Sequence, residues 1–284
     1  MYRARRETFR THMAGDRCLI PASIFDPFSI RLAEDIGFEI GMVGGSSASL
    51  AVLGAPDLIV MTLTEFADQC RRMSRASALP FCVDADHGYG NALNVRRTVE
   101  ELEAAGVAAL SIEDTVLPLG HGQAGTELLS IEEGTGKMRA ALDARQDAST
   151  VIVGRTSAAG VNGLDDAIAR GRAYAEAGVD ALFFLGVKSL EDYQRLGAEF
   201  DLPIVTGGAL KLASREELAQ AGVRMCLTGH PVLPAAVRAM EETLIAMREG
   251  RAPDRPASAE LMTRATRAGD YDRWIANYLN GAKG

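Results

Sequence analysis

Eight short apolar runs alternate with eight amphipathic stretches along this chain, and that alternation limits the fold more than any other feature. The runs predict strands over Cys18–Ser23, Ile40–Val43, Phe81–Asp84, Ala109–Ile112, Val151–Gly154, Ala181–Phe184, Ile204–Val205 and Met225–Thr228. Between them the spacing predicts helices over Pro27–Ile36, Leu63–Ala76, Ala92–Ala105, Ile131–Arg145, Leu164–Ala177, Leu190–Phe200, Ser214–Ala221 and Pro231–Met247. In the third of these, Leu93, Val95, Val99 and Leu102 follow helical spacing, and Gly106 stands where a C-terminal stop belongs. Strands joined through helices run parallel, because each crossover consumes a helix. Near-continuous apolar runs fit strands buried on both faces. Eight such units close a barrel. The predicted fold is therefore α/β: a single (β/α)8 TIM-type barrel domain over residues 1–284, with a C-terminal helical extension over 251–284. An open doubly wound sheet is the alternative, but no G-x-G-x-x-G follows the first strand.

The chain has 284 residues and a net charge of −8, which argues against a phosphate-backbone binder and so against nucleic acid as a partner. An anionic substrate needs only local positive groups. Cys18, Cys70, Cys82 and Cys226 form no CxxC pair, so neither a zinc knuckle nor a disulfide framework is expected; reduced thiols in a cytoplasm are the simple reading. The basic N-terminus lacks the apolar core of a signal peptide, and no apolar run approaches the ~18 residues of a membrane span. Two segments exceed what a barrel needs. One is the loop Val116–Ser130, placed as a lid would be; the other is the tail beyond Gly250, which ends in a helical pattern, YDRWIANYL.

Barrel enzymes keep their chemistry just beyond the C-terminal ends of the strands, and here the polar residues collect at those positions. Asp26 follows strand one, Gly44-Gly45-Ser46-Ser47 strand two, Asp84-Ala85-Asp86 strand three, and Glu113-Asp114 strand four. Arg155-Thr156 follows strand five, Gly207-Gly208 strand seven, and His230 strand eight. Alternate residues of an extended chain face one side, so Asp84 and Asp86 share a space and repel unless a cation or proton intervenes. Carboxylates without a Cys or His cluster suit a hard cation, Mg²⁺ first and Mn²⁺ second. Glu113 and Asp57, in GAPD, stand where they could hold metal-bound water. Arg155 would bind a carboxylate through its guanidinium, or else pair with Glu113 or Asp84. Gly44–Ser47 offers an anion seat or a plain tight turn. Ser46 stands in no G-x-S-x-G elbow, which argues against a serine hydrolase.

The segments VDADHGYGN, SIEDT, EEGTGKMRAALDAR, VGRT and GGSSAS resemble the isocitrate lyase/phosphoenolpyruvate mutase superfamily, over about Ile20 to His230. Within it the chain is most similar to the oxaloacetate decarboxylase branch. The resemblance implies a barrel that binds Mg²⁺ and a small 2-oxo dicarboxylate. It also implies a homo-oligomer, a dimer of dimers whose subunits exchange their last helices. It assigns Asp84 to the metal directly, and Asp57, Asp86 and Glu113 to metal-bound waters. Ser46, Arg155 and His230 become substrate contacts, with Arg155 and His230 catalytic. The chain departs from the superfamily pattern in three respects, at two places. The loop PLGHGQAG lacks the Cys that isocitrate-type lyases use as proton donor, and lacks the Lys and Asn of phosphonopyruvate mutases. Gly207-Gly208 stands where some decarboxylase relatives carry a Tyr. The activity so implied is Mg²⁺-dependent decarboxylation of oxaloacetate to pyruvate and CO₂ through an enolate. The alternatives are a lyase of small substituted malates, a P–C bond enzyme acting on phosphonopyruvate, and a non-catalytic binder of oxalate-like dianions.

Overall fold

The computed structural model describes residues 2–279. The chain divides into two compact units, Met1–His230 and Pro231–Gly284. The first runs α1 (Arg3–Met13), β1 (Ala22–Ser23), α2 (Pro27–Ile36), β2 (Gly41–Val43), α3 (Gly45–Leu53), α4 (Leu63–Ala76), β3 (Phe81–Asp84), α5 (Ala92–Ala104), β4 (Ala109–Glu113), α6 (Ile131–Ala144) and β5 (Val151–Thr156). It continues through α7 (Ala158–Val161), α8 (Leu164–Ala177), β6 (Ala181–Phe184), α9 (Leu190–Glu199), β7 (Ile204–Gly207), α10 (Arg215–Gln220) and β8 (Val223–Leu227). The second unit holds α11 (Val232–Arg248), α12 (Ala259–Thr266) and α13 (Ala268–Tyr278). The division falls at Pro231, ahead of α11.

All eight expected strands form, and they pair in parallel in sequence order from β1 to β8. Leu19 closes the ring. It pairs in parallel with Met225: the Leu19 amide donates to the Arg224 carbonyl (2.8 Å), and the Cys226 amide donates to the Leu19 carbonyl (2.9 Å). β1 is shorter than its apolar run because Pro21 has no N–H to give the ladder.

Each strand splits its residues between two apolar layers. Met42, Cys82, Ala109, Val151, Val153, Phe183, Val205 and Met225 form an inner cluster. Val43, Phe81, Val83, Leu110, Ile112, Ile152, Leu182 and Ile204 belong to an outer cluster shared with the helices. Side chains alternate along a strand, so the inner row of β3 continues from Cys82 to Asp84. That of β4 continues from Ala109 to Glu113, and that of β5 from Val153 to Arg155. Strand register sets them side by side: Glu113 is opposite Arg155, and Arg155 opposite Phe183. The period of two that builds the barrel interior thus delivers the polar residues to its C-terminal mouth.

Helix α1 was not anticipated. Its basic surface masks an apolar stripe in which Phe9 and Met13 join the inner cluster. Arg6, 5% exposed, anchors the helix by donating to the carbonyls of Val107 (3.0 Å) and Glu103 (2.5 Å) and by pairing with Asp147 (2.7 Å). The positions Arg6, Phe9 and Met13 keep helical spacing and were the available signal. Phe9 is fully buried. Phe9→Ala is expected to cost about 3–5 kcal/mol, since truncating a buried aromatic leaves a cavity. That loss should appear as a melting temperature roughly 10 °C lower. A melting temperature within about 2 °C of wild type would show that Phe9 contributes nothing to the inner layer.

Candidate active site at the barrel mouth

Asp84, Asp86, Glu113, Arg155 and Asp57 line one cavity of about 400 Å³, together with an apolar wall of Leu58, Ile59, Leu117, Pro118 and Leu119. Five of the seven residues singled out for the site therefore meet. Arg155 is the hub. Its Nη1 donates to Asp84 Oδ2 (2.5 Å), and its Nη2 lies 3.1 Å from Glu113 Oε2. Its guanidinium carbon sits 5.3 Å from the Phe183 ring centroid, within cation–π range. Its Nε is buried with no hydrogen-bond partner. Of the two readings open from sequence, the ion pair is realised, and with both carboxylates.

The turn after β3 carries the acidic pair. The Asp86 amide donates to Asp84 Oδ1 (3.2 Å), and the Ser111 hydroxyl lies 3.3 Å from the same oxygen. Asp86 has φ +47° and Tyr89 φ +61°, left-handed conformations that cost a non-glycine residue of order 1–2 kcal/mol each. Burial pushes the Asp86 carboxyl up to about 9, helped by Asp84, Asp57 and Glu113. Glu113 is raised by burial and by Asp84, against the pull of Arg155. Asp57 is raised by burial and by Asp84. One guanidinium does not neutralise four carboxylates, and protonation makes up part of the balance.

His230 is not among the cavity-lining residues but lies over the turn after β2, within electrostatic reach of Asp84 and Asp57. Its Nδ1 is 3.0 Å from the Ser23 hydroxyl, and burial lowers its pKa, so the ring is neutral at pH 7. A side chain on Gly44 would come within 2.1 Å of His230 Nε2. One on Gly45 would come within 2.8 Å of Asp86 Oδ1 and 3.4 Å of Asp57 Oδ1. The glycine pair thus lets the His230 ring and the Asp86 carboxylate approach the backbone closely, which neither sequence reading of the turn foresaw. Ser46 is exposed in the first turn of α3 and is not among the cavity-lining residues. Asp26 is engaged as the N-cap of α2, accepting from the Ser29 amide (2.7 Å). Sequence reasoning missed Ser111, Ser23 and the apolar wall. Ser111 had a signal, because it shares the inner row with Glu113.

Among the described residues, no three of His, Cys, Asp and Glu converge closely enough to hold a metal ion by themselves. All four cysteines are buried, and none lines the cavity. No helix of the described residues is long and apolar enough to cross a membrane.

A closed parallel barrel with an acid-rich mouth, one buried guanidinium and a facing neutral histidine defines an α/β-barrel enzyme for a small anionic substrate. The chain belongs to the phosphoenolpyruvate phosphomutase family, whose pattern it matches over residues 9–248, within the isocitrate lyase superfamily. It is 55% identical over 286 residues to the oxaloacetate decarboxylase of Bradyrhizobium diazoefficiens, with 99% of each chain covered. The phosphoenolpyruvate phosphomutase structure from Streptomyces platensis subsp. rosaceus superposes with a TM-score of 0.86 at 30% identity, covering 97% of this chain and 99% of that one. A phosphonopyruvate hydrolase in complex with oxalate and Mg²⁺ superposes with a TM-score of 0.84 at 26% identity, covering 97% of this chain and 99% of that one.

The raised Asp86 carboxyl has a consequence for stability. A carboxyl whose folded pKa is above its ordinary 3.8 costs the folded state increasingly as pH rises from about 4 towards about 9. In EDTA, Asp86→Asn should therefore melt higher than wild type at pH 8.5, with the gap shrinking towards pH 5. Thermal melts across that range check the sign, and equal curves for the two proteins would remove the charge conflict at Asp86.

Proposed function

We propose that this protein catalyses the Mg²⁺-dependent decarboxylation of oxaloacetate to pyruvate and CO₂. The observation that carries the reading is the cavity in which Asp57, Asp84, Asp86 and Glu113 surround Arg155. It sits in a chain 55% identical to a relative of that activity. The donor set fits a hard cation. It is all oxygen, it carries more negative charge than Arg155 offsets, and Asp86 stays protonated without further compensation. Asp84 would hold Mg²⁺ directly, and Asp57, Asp86 and Glu113 would hold it through water; Mn²⁺ is the alternative ion. A single protein carboxylate completed by water is ordinary for Mg²⁺, so three converging side chains are not required. When bound, the ion supplies Lewis-acid polarisation of the substrate's C2 carbonyl.

The remaining work belongs to the chain. Arg155, fixed between Asp84 and Glu113, places a permanent positive charge where negative charge grows on the C2 oxygen as the C3–C4 bond breaks. Ser46 and the backbone amides at the start of α3 hold the C1 carboxylate. His230, paired through Nδ1 with the Ser23 hydroxyl, orients the departing C4 carboxylate, and in the tautomer where Ser23 donates to Nδ1 it does so through an Nε2 proton. The enolate left behind takes its proton from water. Leu117–Leu119 and Leu58–Ile59 form the apolar wall that limits solvent around the reacting bond.

We place the enzyme in the cytoplasm, where its four free cysteines stay reduced, and with no nucleic-acid or membrane partner. We also propose that it is a homo-oligomer, a dimer of dimers, using exposed side chains of the last helices. Leu244 on α11 and Trp274, Ile275 and Tyr278 on α13 present apolar surface that another subunit would cover. Light scattering should give a mass above the 30.2 kDa of one chain, and Trp274→Asp with Ile275→Asp should lower it. A wild-type protein of one-chain mass would end that part of the proposal.

Pyruvate and CO₂ release from oxaloacetate should exceed the spontaneous rate with Mg²⁺ and return to it in EDTA. Asp84→Ala should abolish both turnover and Mg²⁺ binding in a folded protein. Arg155→Met should lower kcat about 10²–10³-fold, as when a donor to a developing oxyanion is removed. No metal-dependent rate on oxaloacetate, with turnover of a substituted malate or of phosphonopyruvate instead, would overturn the assignment. Tight oxalate binding without any turnover would mark a non-catalytic binder.

A further inference from the structure

Lys137 stands in the GKM segment of α6, and its position is unusual. Its side chain is on the buried face of the helix with Gly134, Met138 and Ala141, and the residue is 3% exposed. Among the described residues it makes no ion pair. Its one hydrogen bond runs from Nζ to the His87 carbonyl (2.8 Å). An ammonium with a single carbonyl partner is a poor way to fill a core, because burying the charge costs more than one such bond returns. What it holds is the turn that carries the acidic pair. Three consecutive carbonyls of that turn are tied to three different elements. The Asp86 carbonyl accepts from the Glu113 amide on β4 (2.8 Å), the His87 carbonyl from Lys137 on α6, and the Gly88 carbonyl from the Thr98 hydroxyl on α5 (3.0 Å). The His87 peptide lies between Asp86 and Tyr89, both left-handed, so it is where the turn would relax if released.

We infer that Lys137 is a positioning residue of the site: through the His87 carbonyl it fixes the turn that sets Asp84 and Asp86 for a divalent cation. The inference rests on the metal reading given above, and it goes beyond it by assigning the geometry of the carboxylates to a side chain that never reaches the cavity. Groups that orient metal-holding residues typically contribute about 10–100-fold in affinity or activity.

The test uses the full-length protein and Mn²⁺ as the probe, with binding followed by the EPR signal of the free ion. Lys137→Met keeps the length and removes the donor, and it should weaken Mn²⁺ binding by about tenfold. The Mg²⁺ concentration for half-maximal decarboxylation should rise in step. Lys137→Arg, which retains a donor, should restore most of the binding. Ala141→Gly, on the same buried face, lowers helix stability without touching the turn and should bind Mn²⁺ as wild type does. If Lys137→Met does not fold, Lys137→Gln, too short to reach the carbonyl, takes its place with the same expected loss. Mn²⁺ binding within twofold of wild type in the donor-free variant would overturn the positioning role, as would an equal loss in Ala141→Gly. Wild-type protein that binds Mn²⁺ but leaves oxaloacetate untouched would overturn the reaction alone, and a loss in Lys137→Met would still support the role.

Discussion

Like charges crowded at one barrel mouth are the constraint to which the rest of this structure answers. Asp57, Asp84, Asp86 and Glu113 border one cavity with only Arg155 to offset them. Unpaired carboxylates in a partly desolvated space are costly, and the raised Asp86 and Glu113 carboxyls record that cost. Sequence pattern alone does not hold such a set together; the parallel ladder does. Asp84, Glu113 and Arg155 end the inner rows of three successive strands, and the Glu113–Arg155 register brings the guanidinium to the carboxylates. Below them an apolar inner layer, plugged at its base by Phe9 and Met13, provides the favourable burial that tolerates an electrostatically strained top. Stability and chemistry are thus divided along the same strands.

The loops add precision rather than stability. Asp86 and Tyr89 sit in left-handed conformations although neither is glycine, and bonds from β4, α5 and α6 hold them there. On the facing side, Gly44 and Gly45 give up side chains so that His230 and Asp86 can approach the backbone. Both are choices that a fold optimised for stability alone would avoid.

Much of this was legible in the residue order, for physical reasons. Strands buried on both faces read as plain apolar runs, and helices with one wet face read as periodic patterns, so the eight units and their succession follow from hydrophobicity. The strand-end rule then pointed to Asp84, Glu113 and Arg155. Three-dimensional proximity did not follow in the same way. Nothing local distinguishes a glycine kept for a turn from Gly44, over whose bare Cα a histidine far along the chain lies. Lys137 reads as one more charged residue on a helix until its neighbours Gly134, Met138 and Ala141 prove to be the buried face. Helix α1 was hidden because arginine dominates its composition, while its two core residues lie a turn apart. Ser46, drawn from the resemblance, falls on the exposed first turn of α3, where only a bound anion would give its hydroxyl a role.

The cysteines bear on which reaction such a mouth can run. Cleavage of an isocitrate-type substrate releases a carbon fragment that carries away the bonding electrons, and that fragment must be protonated as it leaves. Loss of CO₂ places no such demand, since the electrons stay with the keto acid and collapse onto its carbonyl oxygen. A site for the first reaction needs an acid poised over the bond; a site for the second needs only positive charge at the oxygen. Cys18, Cys70 and Cys226 lie in the outer layer and Cys82 in the inner one, and burial raises the Cys70 and Cys82 thiols further from reactivity. The loop segment bordering the cavity contributes Leu117, Pro118 and Leu119, none of which carries a proton to give. Positive charge is what the mouth does supply, through Arg155 and the cation its carboxylates are suited to hold. The lack of a cysteine among the cavity-lining residues and the surplus of carboxylates therefore point the same way, towards chemistry in which the leaving group departs neutral.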